Sequence, residues 1–144
     1  MRTIIAVAVL AGTIAALAVP PLAAADGGAA VAARTTLTGR AAVPRGAKHG
    51  RAHASLRFAG RRVCWSIRRV RGIDRPRVAS IYKAIPGEFG PLMVRLGKRY
   101  RATGCVTARQ GIAESIARSP QGFYLSIATR RFPLGAVRGQ LRRA

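Results

Sequence analysis

Residues 51–68, Arg51-Ala52-His53-Ala54-Ser55-Leu56-Arg57-Phe58-Ala59-Gly60-Arg61-Arg62-Val63-Cys64-Trp65-Ser66-Ile67-Arg68, decide the fold. Ala52, Ala54, Leu56 and Phe58 take every second position, and Arg51, His53, Ser55 and Arg57 fill the places between them. Successive side chains of a strand point to opposite faces, so this pattern is a half-buried strand. Gly60 turns the chain. A second alternation follows, with Val63, Trp65 and Ile67 on one face and Cys64 and Ser66 on the other. Two such runs, one on each side of a glycine turn, read as successive strands.

Working outward, turn signals recur about every ten residues. Thr35 to Ala41 reads as a strand ended by Val43-Pro44 and Gly46. Val78 to Tyr82, Leu92 to Leu96, Gly104 to Thr107, Phe123 to Thr129 and Ala136 to Leu141 read as further strands, with Ile85 to Pro91 as a loop. Only near Ala108 to Arg118 does the period change: Ile112, Ser115 and Ile116 recur at helical spacing, Thr107 offers a cap, and Pro120 a stop. Eight short strands and one helix predict an all-β, antiparallel two-layer fold. Alternation alone leaves a sandwich and a partly closed barrel both open.

Upstream lies a segment of another kind. Met1-Arg2-Thr3 carries one charge, Ile4 to Val19 is uncharged and apolar, Pro20-Pro21 breaks it, and Ala23-Ala24-Ala25 follows. This is the layout of a secretory signal peptide over residues 1–25. A membrane anchor is the other reading. The apolar run is shorter than the ~20 residues a spanning helix needs, which favours cleavage. Residues 26–33 (DGGAAVAA) read as a flexible lead-in and residues 34–144 as one domain. No later stretch is apolar and long enough to span a bilayer. The mature chain is therefore expected outside the cytoplasm, secreted or in the cell envelope, with no transmembrane segment after cleavage.

Cys64 and Cys105 are the only cysteines. They could be buried thiols, but export to an oxidising space favours a Cys64–Cys105 disulfide. It would close a loop of about 40 residues, worth ~3–4 kcal/mol on the chain-entropy model.

The 26 Lys and Arg residues face only Asp26, Asp74, Glu88 and Glu114, for a net charge of +22. Loss of Arg2 with the signal peptide leaves +21. All the basic residues but Lys48, Lys83 and Lys98 are arginine. Such a charge attracts anionic polymers and membrane surfaces at low salt. The arginines are spread along the chain, so a drift in composition explains them equally well. Aromatic residues make up 6%. Stacking platforms are then scarce, and specific nucleic-acid recognition is not expected.

No catalytic constellation is visible. Ser80, Ser115 and Ser119 lack a Gly-x-Ser-x-Gly elbow, the four carboxylates are scattered, and no phosphate-cradling glycine loop precedes a helix. His49 and His53 have no Cys or carboxylate near them in sequence, so no metal or other cofactor is expected there.

Three segments go beyond pattern: Leu37-Thr38-Gly39 with Val43-Pro44; Gly72-Ile73 running to Ala79-Ser80-Ile81-Tyr82 and Gly90-Pro91-Leu92-Met93-Val94; and Phe123-Tyr124-Leu125-Ser126-Ile127-Ala128-Thr129 with Phe132-Pro133-Leu134-Gly135-Ala136-Val137-Arg138-Gly139-Gln140-Leu141. In order and spacing, residues 35–142 resemble the CHRD (chordin-type) domain family, most specifically in the closing run. The resemblance implies an immunoglobulin-like β-sandwich of Greek-key type and a single-domain secreted bacterial member. Paired cysteines at these places also occur in bacterial relatives.

The resemblance further implies an extracellular binding or structural module, not an enzyme, with an unknown partner. An electrostatic binder of envelope polysaccharide, nucleic acid or acidic lipid surfaces is the alternative. Pro133 and Gly135 suit a turn, and Gly139 within a strand marks a bulge or a close backbone approach. Arg138 and Gln140 share a face and can donate to backbone carbonyls, latching the last strand to a loop; a ligand site is the other reading. The departures bear most on function. Many relatives carry Ala-His-Ile-His where this chain has Ala79-Ser80-Ile81-Tyr82, a His at Ala128, and a Glu at Ala42. A His-x-His strand puts two imidazoles on one face, as a metal needs. Ser80, Tyr82 and Ala128 supply none.

Overall fold

The computed structural model describes residues 29–144. The expected signal peptide and Asp26 lie outside the described residues. The elements are β1 (Val31–Thr38), β2 (Arg51–Ala59), β3 (Arg62–Arg71), β4 (Pro76–Lys83), β5 (Leu92–Arg95), β6 (Thr103–Thr107), α1 (Ile112–Arg118), β7 (Phe123–Thr129), β8 (Val137–Gln140) and β9 (Arg142–Arg143), with a 3-10 turn at Pro120–Gly122. All pairings are antiparallel, in the order β5-β4-β7-β8-β1-β2-β3-β6, and β9 lies against β1.

The all-β, antiparallel reading holds, with its one short helix. The strands form one continuous, curled sheet. Two halves, β6-β3-β2-β1 and β8-β7-β4-β5, meet at a narrow seam where Thr38 faces Arg138. On the far side, the segment between β5 and β6 reaches across the gap. Leu96 and Tyr100 donate backbone N–H groups to Ala79 and Arg77 of β4 at 2.9 and 2.8 Å. Two residues later, Ala102 accepts from Ile67 of β3 at 2.6 Å, and Arg101 accepts the indole N–H of Trp65 at 2.8 Å. The connection thus bonds to β4 and to β3, just beyond the ends of the edge strands β5 and β6, and closes the curled sheet as a half-barrel. Alternation reports which face is buried, not how far the sheet curls, so the residues left this open.

The inward faces of both halves share one core, including Leu37, Leu56, Val63, Trp65 and Ile67 from one and Ile81, Val94, Leu125, Ile127 and Val137 from the other. α1 covers part of it with Ala113 and Ile116. Each fully buried Leu or Ile contributes about 1.5–3 kcal/mol.

Several boundaries move. β1 begins at Val31, inside the supposed lead-in, because Val31, Ala32 and Ala33 pair with Phe58, Arg57 and Leu56. It ends before Gly39, which turns to donate to Gly50 at 3.2 Å instead of continuing to Ala41. β3 runs past Arg68 through a bulge, with Arg69 at φ 53°. α1 starts at Ile112 rather than Ala108, and Thr107 is not its cap. Gly111, at φ 78°, leads into it, while Ala108 stays extended to donate to Arg61 at 2.8 Å. β9 was not expected; it continues past Leu141 to pair with Ala33 and Arg34.

Candidate functional site

Every residue of the closing motif is placed by β7, the turn after it, and β8. Pro133 sits within the turn in which Gly135 N donates to the carbonyl of Phe132 at 3.1 Å, and Phe132 N donates to Thr129 Oγ1 at 3.1 Å. Gly135 has φ 131°, and a Cβ there would lie 2.6 Å from Ser126 Oγ. Gly139 packs directly on β1, where a Cβ would overlap Thr35 Oγ1 and the Thr36 carbonyl. This is the close approach that a mid-strand glycine signalled. Leu141 is buried, and its N–H donates to Phe123 at 2.9 Å.

Arg138 and Gln140 lie on the outer face of β8 beside β7. Arg138 is only 3% exposed. Its Nη1 donates to the carbonyl of Glu88, and its Nη2 donates to Ile85 O at 2.9 Å and to Gln140 Oε1 at 3.5 Å. Gln140 Nε2 donates to Ala84 O at 2.7 Å and to Gln121 O at 2.8 Å. The guanidinium lies 3.5 Å from the centre of the Tyr124 ring, and Tyr124 stacks on Tyr82 at 5.2 Å and 11°. Burial lowers the Arg138 pKa, and the neighbouring Tyr124 opposes that shift. The loop 84–91 thus folds over the sheet, held by charged donors on its carbonyls. Gly90 N–H reaches the Tyr124 hydroxyl at 3.4 Å, and Pro91 accepts from Lys83 N at 3.0 Å.

The positions of the family histidines fall beneath this loop or beside it. Ser80 faces Ser126, Tyr82 faces Tyr124, and Ala128 faces Val78, so Ser80, Tyr82 and Ala128 share the outer face of two adjacent strands. The structure therefore gathers the three positions, but the groups they present are a buried hydroxyl, a stacked phenol and a methyl. Tyr82 also packs against Phe89 at 6.2 Å. Burial, and then the neighbouring Tyr124, raise the Tyr82 pKa, while Ser80 and Arg95 pull it down. Ala42, the place of the family Glu, is buried.

The remaining opening residues are structural too. Leu37 is buried in β1, and Gly39 and Pro44 lie in the turn after it. Thr129 is buried, and its hydroxyl is the first cause of a lowered pKa at Asp74, which also accepts from Arg131 N at 3.5 Å.

Cys64 and Cys105 face each other across β3 and β6 and form a disulfide, with Cα atoms 4.0 Å apart. His49 is exposed in a loop, and His53, exposed on β2, has Nδ1 3.2 Å from Thr36 Oγ1. Among the described residues, no three His, Cys, Asp or Glu side chains gather as a metal site would need. No described helix is long and apolar enough to cross a membrane.

One surface had no signature in the sequence: the outer face of β1 and β2 with β9. The alternation of Arg51, His53, Ser55 and Arg57 was visible, but Arg34 and Arg142 join them only through register.

Comparison with known families agrees with the motif. The family model described as CHRD domain matches residues 33–141. No curated protein and no solved structure matches. With the match spanning both halves of the sheet and the whole closing motif, the chain belongs to the CHRD domain family.

Proposed function

We propose that this chain is an exported CHRD module that acts without catalysis, as a binding or structural unit outside the cytoplasm. The observation that carries the reading is the latch. Arg138, Gln140 and Tyr124, the most distinctive polar groups of the family motif, are fully engaged in holding the loop 84–91. Side chains committed to backbone carbonyls are not poised for proton transfer or nucleophilic attack. The charged start, apolar run and Ala-x-Ala ending of residues 1–25 support export. The finer architectural reading, an immunoglobulin-like Greek-key sandwich, is supported by the narrow seam between the two halves.

The direct tests are N-terminal sequencing of the native protein and metal analysis after chelator washing. The expected results are a start near Asp26 and no stoichiometric zinc or copper. An intact Met1 on a cytosolic protein would overturn export. Stoichiometric metal lost on changing His49 or His53 would overturn the reading of Ser80, Tyr82 and Ala128 as a metal-free face.

A second reading, an electrostatic binder of anionic polymers, is favoured by one observation. None of the nine described strands contains Asp or Glu, while arginine recurs along most of them. Its test is binding to an acidic polymer as salt is raised. A steep fall in affinity is expected, because counterion release drives such binding.

A further inference from the structure

We propose that the outer face of β1, β2 and β9 is a binding site for a linear acidic polysaccharide, gripped through its sulfate, phosphate or carboxylate groups. The proposal rests on the electrostatic reading above and assigns it to one face. Across the strands, Arg142 faces Arg34, Arg34 faces Ser55, and Ser55 faces Ser66. One step along, Thr36 faces His53 and His53 faces Arg68; one step the other way, Ala32 faces Arg57. Neighbouring strands lie about 4.8 Å apart, and same-face residues along a strand about 6.8 Å apart. The guanidiniums therefore form a two-dimensional lattice with hydroxyls and an imidazole between them.

Three features mark this face. First, Arg34, Thr36, His53, Ser55, Gln140 and Arg142 line a groove of about 520 Å³, in which the two arginines stand among hydroxyl, imidazole and amide groups; the groove lined by Arg75, Arg77, Arg95, Lys98 and Arg99 has no exposed hydroxyl but that of Tyr100. Second, it holds like charges opposite one another with no Asp or Glu side chain among them. Arg34 and Arg142 are cross-strand neighbours, an arrangement that destabilises a sheet. The described Asp and Glu side chains, those of Asp74, Glu88 and Glu114, sit in loops and on α1. A bound anion removes that repulsion and takes charge-assisted hydrogen bonds from paired guanidiniums. Third, its hydroxyls are exposed: Ser55 can bond sugar oxygens, and Thr36 Oγ1 lies at the surface paired with His53 Nδ1.

The same face argues against two other partners. The aromatic residues of β2 and β3, Phe58 and Trp65, point into the core, so nucleic-acid bases find no Phe, Tyr or Trp platform here. The exposed large apolar residues, Ile85, Phe89, Leu92 and Leu134, lie on other segments, so nothing on this face inserts among acyl chains.

The test uses two triple variants that remove the same charge. One changes the face, Arg34→Ser with Arg57→Ser and Arg142→Ser. The other changes exposed positions elsewhere, Arg45→Ser with Arg99→Ser and Arg109→Ser. Binding of the full mature chain is measured against dextran sulfate, polygalacturonate, a single-stranded oligonucleotide and vesicles of anionic phospholipid, with unfolding midpoints as the control for folding. The expected result is that the face variant loses about tenfold or more on a polysaccharide, with a salt slope reduced by about three units, and that the control loses about threefold or less. Dextran sulfate against polygalacturonate separates sulfate-type from carboxylate recognition. Equal losses in the two variants would leave the electrostatic reading standing and overturn the assignment to this face. Tighter binding of the oligonucleotide or the vesicles than of either polysaccharide would overturn the choice of partner. No binding of any probe by the parent chain would overturn both. Should the face variant unfold, the single change Arg57→Glu against Arg45→Glu decides, with a larger loss of affinity expected in Arg57→Glu and equal losses overturning the assignment.

Discussion

The two halves of the sheet use the same strand geometry for opposite ends. On β2, burial alternates strictly, with every second residue exposed. On β7, all residues but Ala128 are buried, because the loop 84–91 and the Arg138 side chain cover the outer face as the core covers the inner one. One outer face is closed by an arginine that points along it into a loop; the other is left open and lined with arginines that find no partner of opposite sign in their strands. The most specific run of the family signature, residues 132–141, lies on the closed side. It therefore reports how the loop is held, and it says nothing about what the open face meets.

The largest expected effect is at the latch. Arg138→Ala removes charged donors from the carbonyls of Ile85 and Glu88 and the cation from the Tyr124 ring. Hydrogen bonds to charged groups are worth ~1.5–3 kcal/mol each, so the loss should be about 4 kcal/mol in urea unfolding. Arg138→Lys, which keeps the charge but not the fork, should recover less than half of it. A loss under about 1 kcal/mol would mean that the loop holds itself and that the closed face needs no latch.

Next in size is the disulfide, which pins edge strand β6 to β3 on the open side. Changing Cys64 and Cys105 together to Ser should cost about 3 kcal/mol. The polysaccharide affinity should stay within about twofold, since β1, β2 and β9 keep their register. A parallel collapse of binding would show that the open face depends on the β3–β6 edge for its shape.

These contrasts explain what could be read in advance. The alternation at 51–68 placed β2 and β3 correctly, because one side of each is buried and the other wet. The closing motif placed β7, its turn and β8, because Pro133, Gly135 and Gly139 each answer a local backbone demand. Arg138 and Gln140 could be read as donors to a loop, but the loop itself, 50 residues or more away in sequence, could not be named. The curled sheet is closed by residues 96–102 bonding to β4 and β3, a long-range event with no periodic trace. The groove escaped for the same reason: Arg34 and Arg142 look like scattered charge until β9 pairs with β1.

A smaller effect should appear at alkaline pH and on the closed side. Burial raises the pKa of Tyr82 above its ordinary value of 10.0, and burial also raises that of Tyr100. A group whose folded pKa is raised leaves stability intact below its unfolded pKa and removes it as pH rises through the folded value. Unfolding free energy should therefore fall as pH rises above about 10. Tyr82→Phe should flatten that fall, as followed by denaturant titration beside phenolate absorbance. An unchanged slope in Tyr82→Phe would assign the alkaline loss to other groups and remove the stacked pair from the account.

The smallest expected effect separates the two faces most cleanly. Arg34→Ser deletes a long cationic side chain from the open face, just as Arg138→Ala deletes one from the closed face. Arg34 is exposed, and its cross-strand neighbour Arg142 carries the same charge. Removing it should leave stability within about 0.5 kcal/mol of the parent, as for surface changes generally. At low salt the sign should be slightly favourable, by a few tenths of a kcal/mol, because a like-charge pair is relieved. The gain should vanish near 1 M salt, where screening acts over ~3 Å. Unfolding curves of parent and variant at low and high salt supply the measurement. A loss above about 1 kcal/mol at both salts would show that Arg34 supports the sheet through its stem or a hidden acceptor. The open face would then be a second closed one, and the difference on which the assignment of the groove rests would be gone.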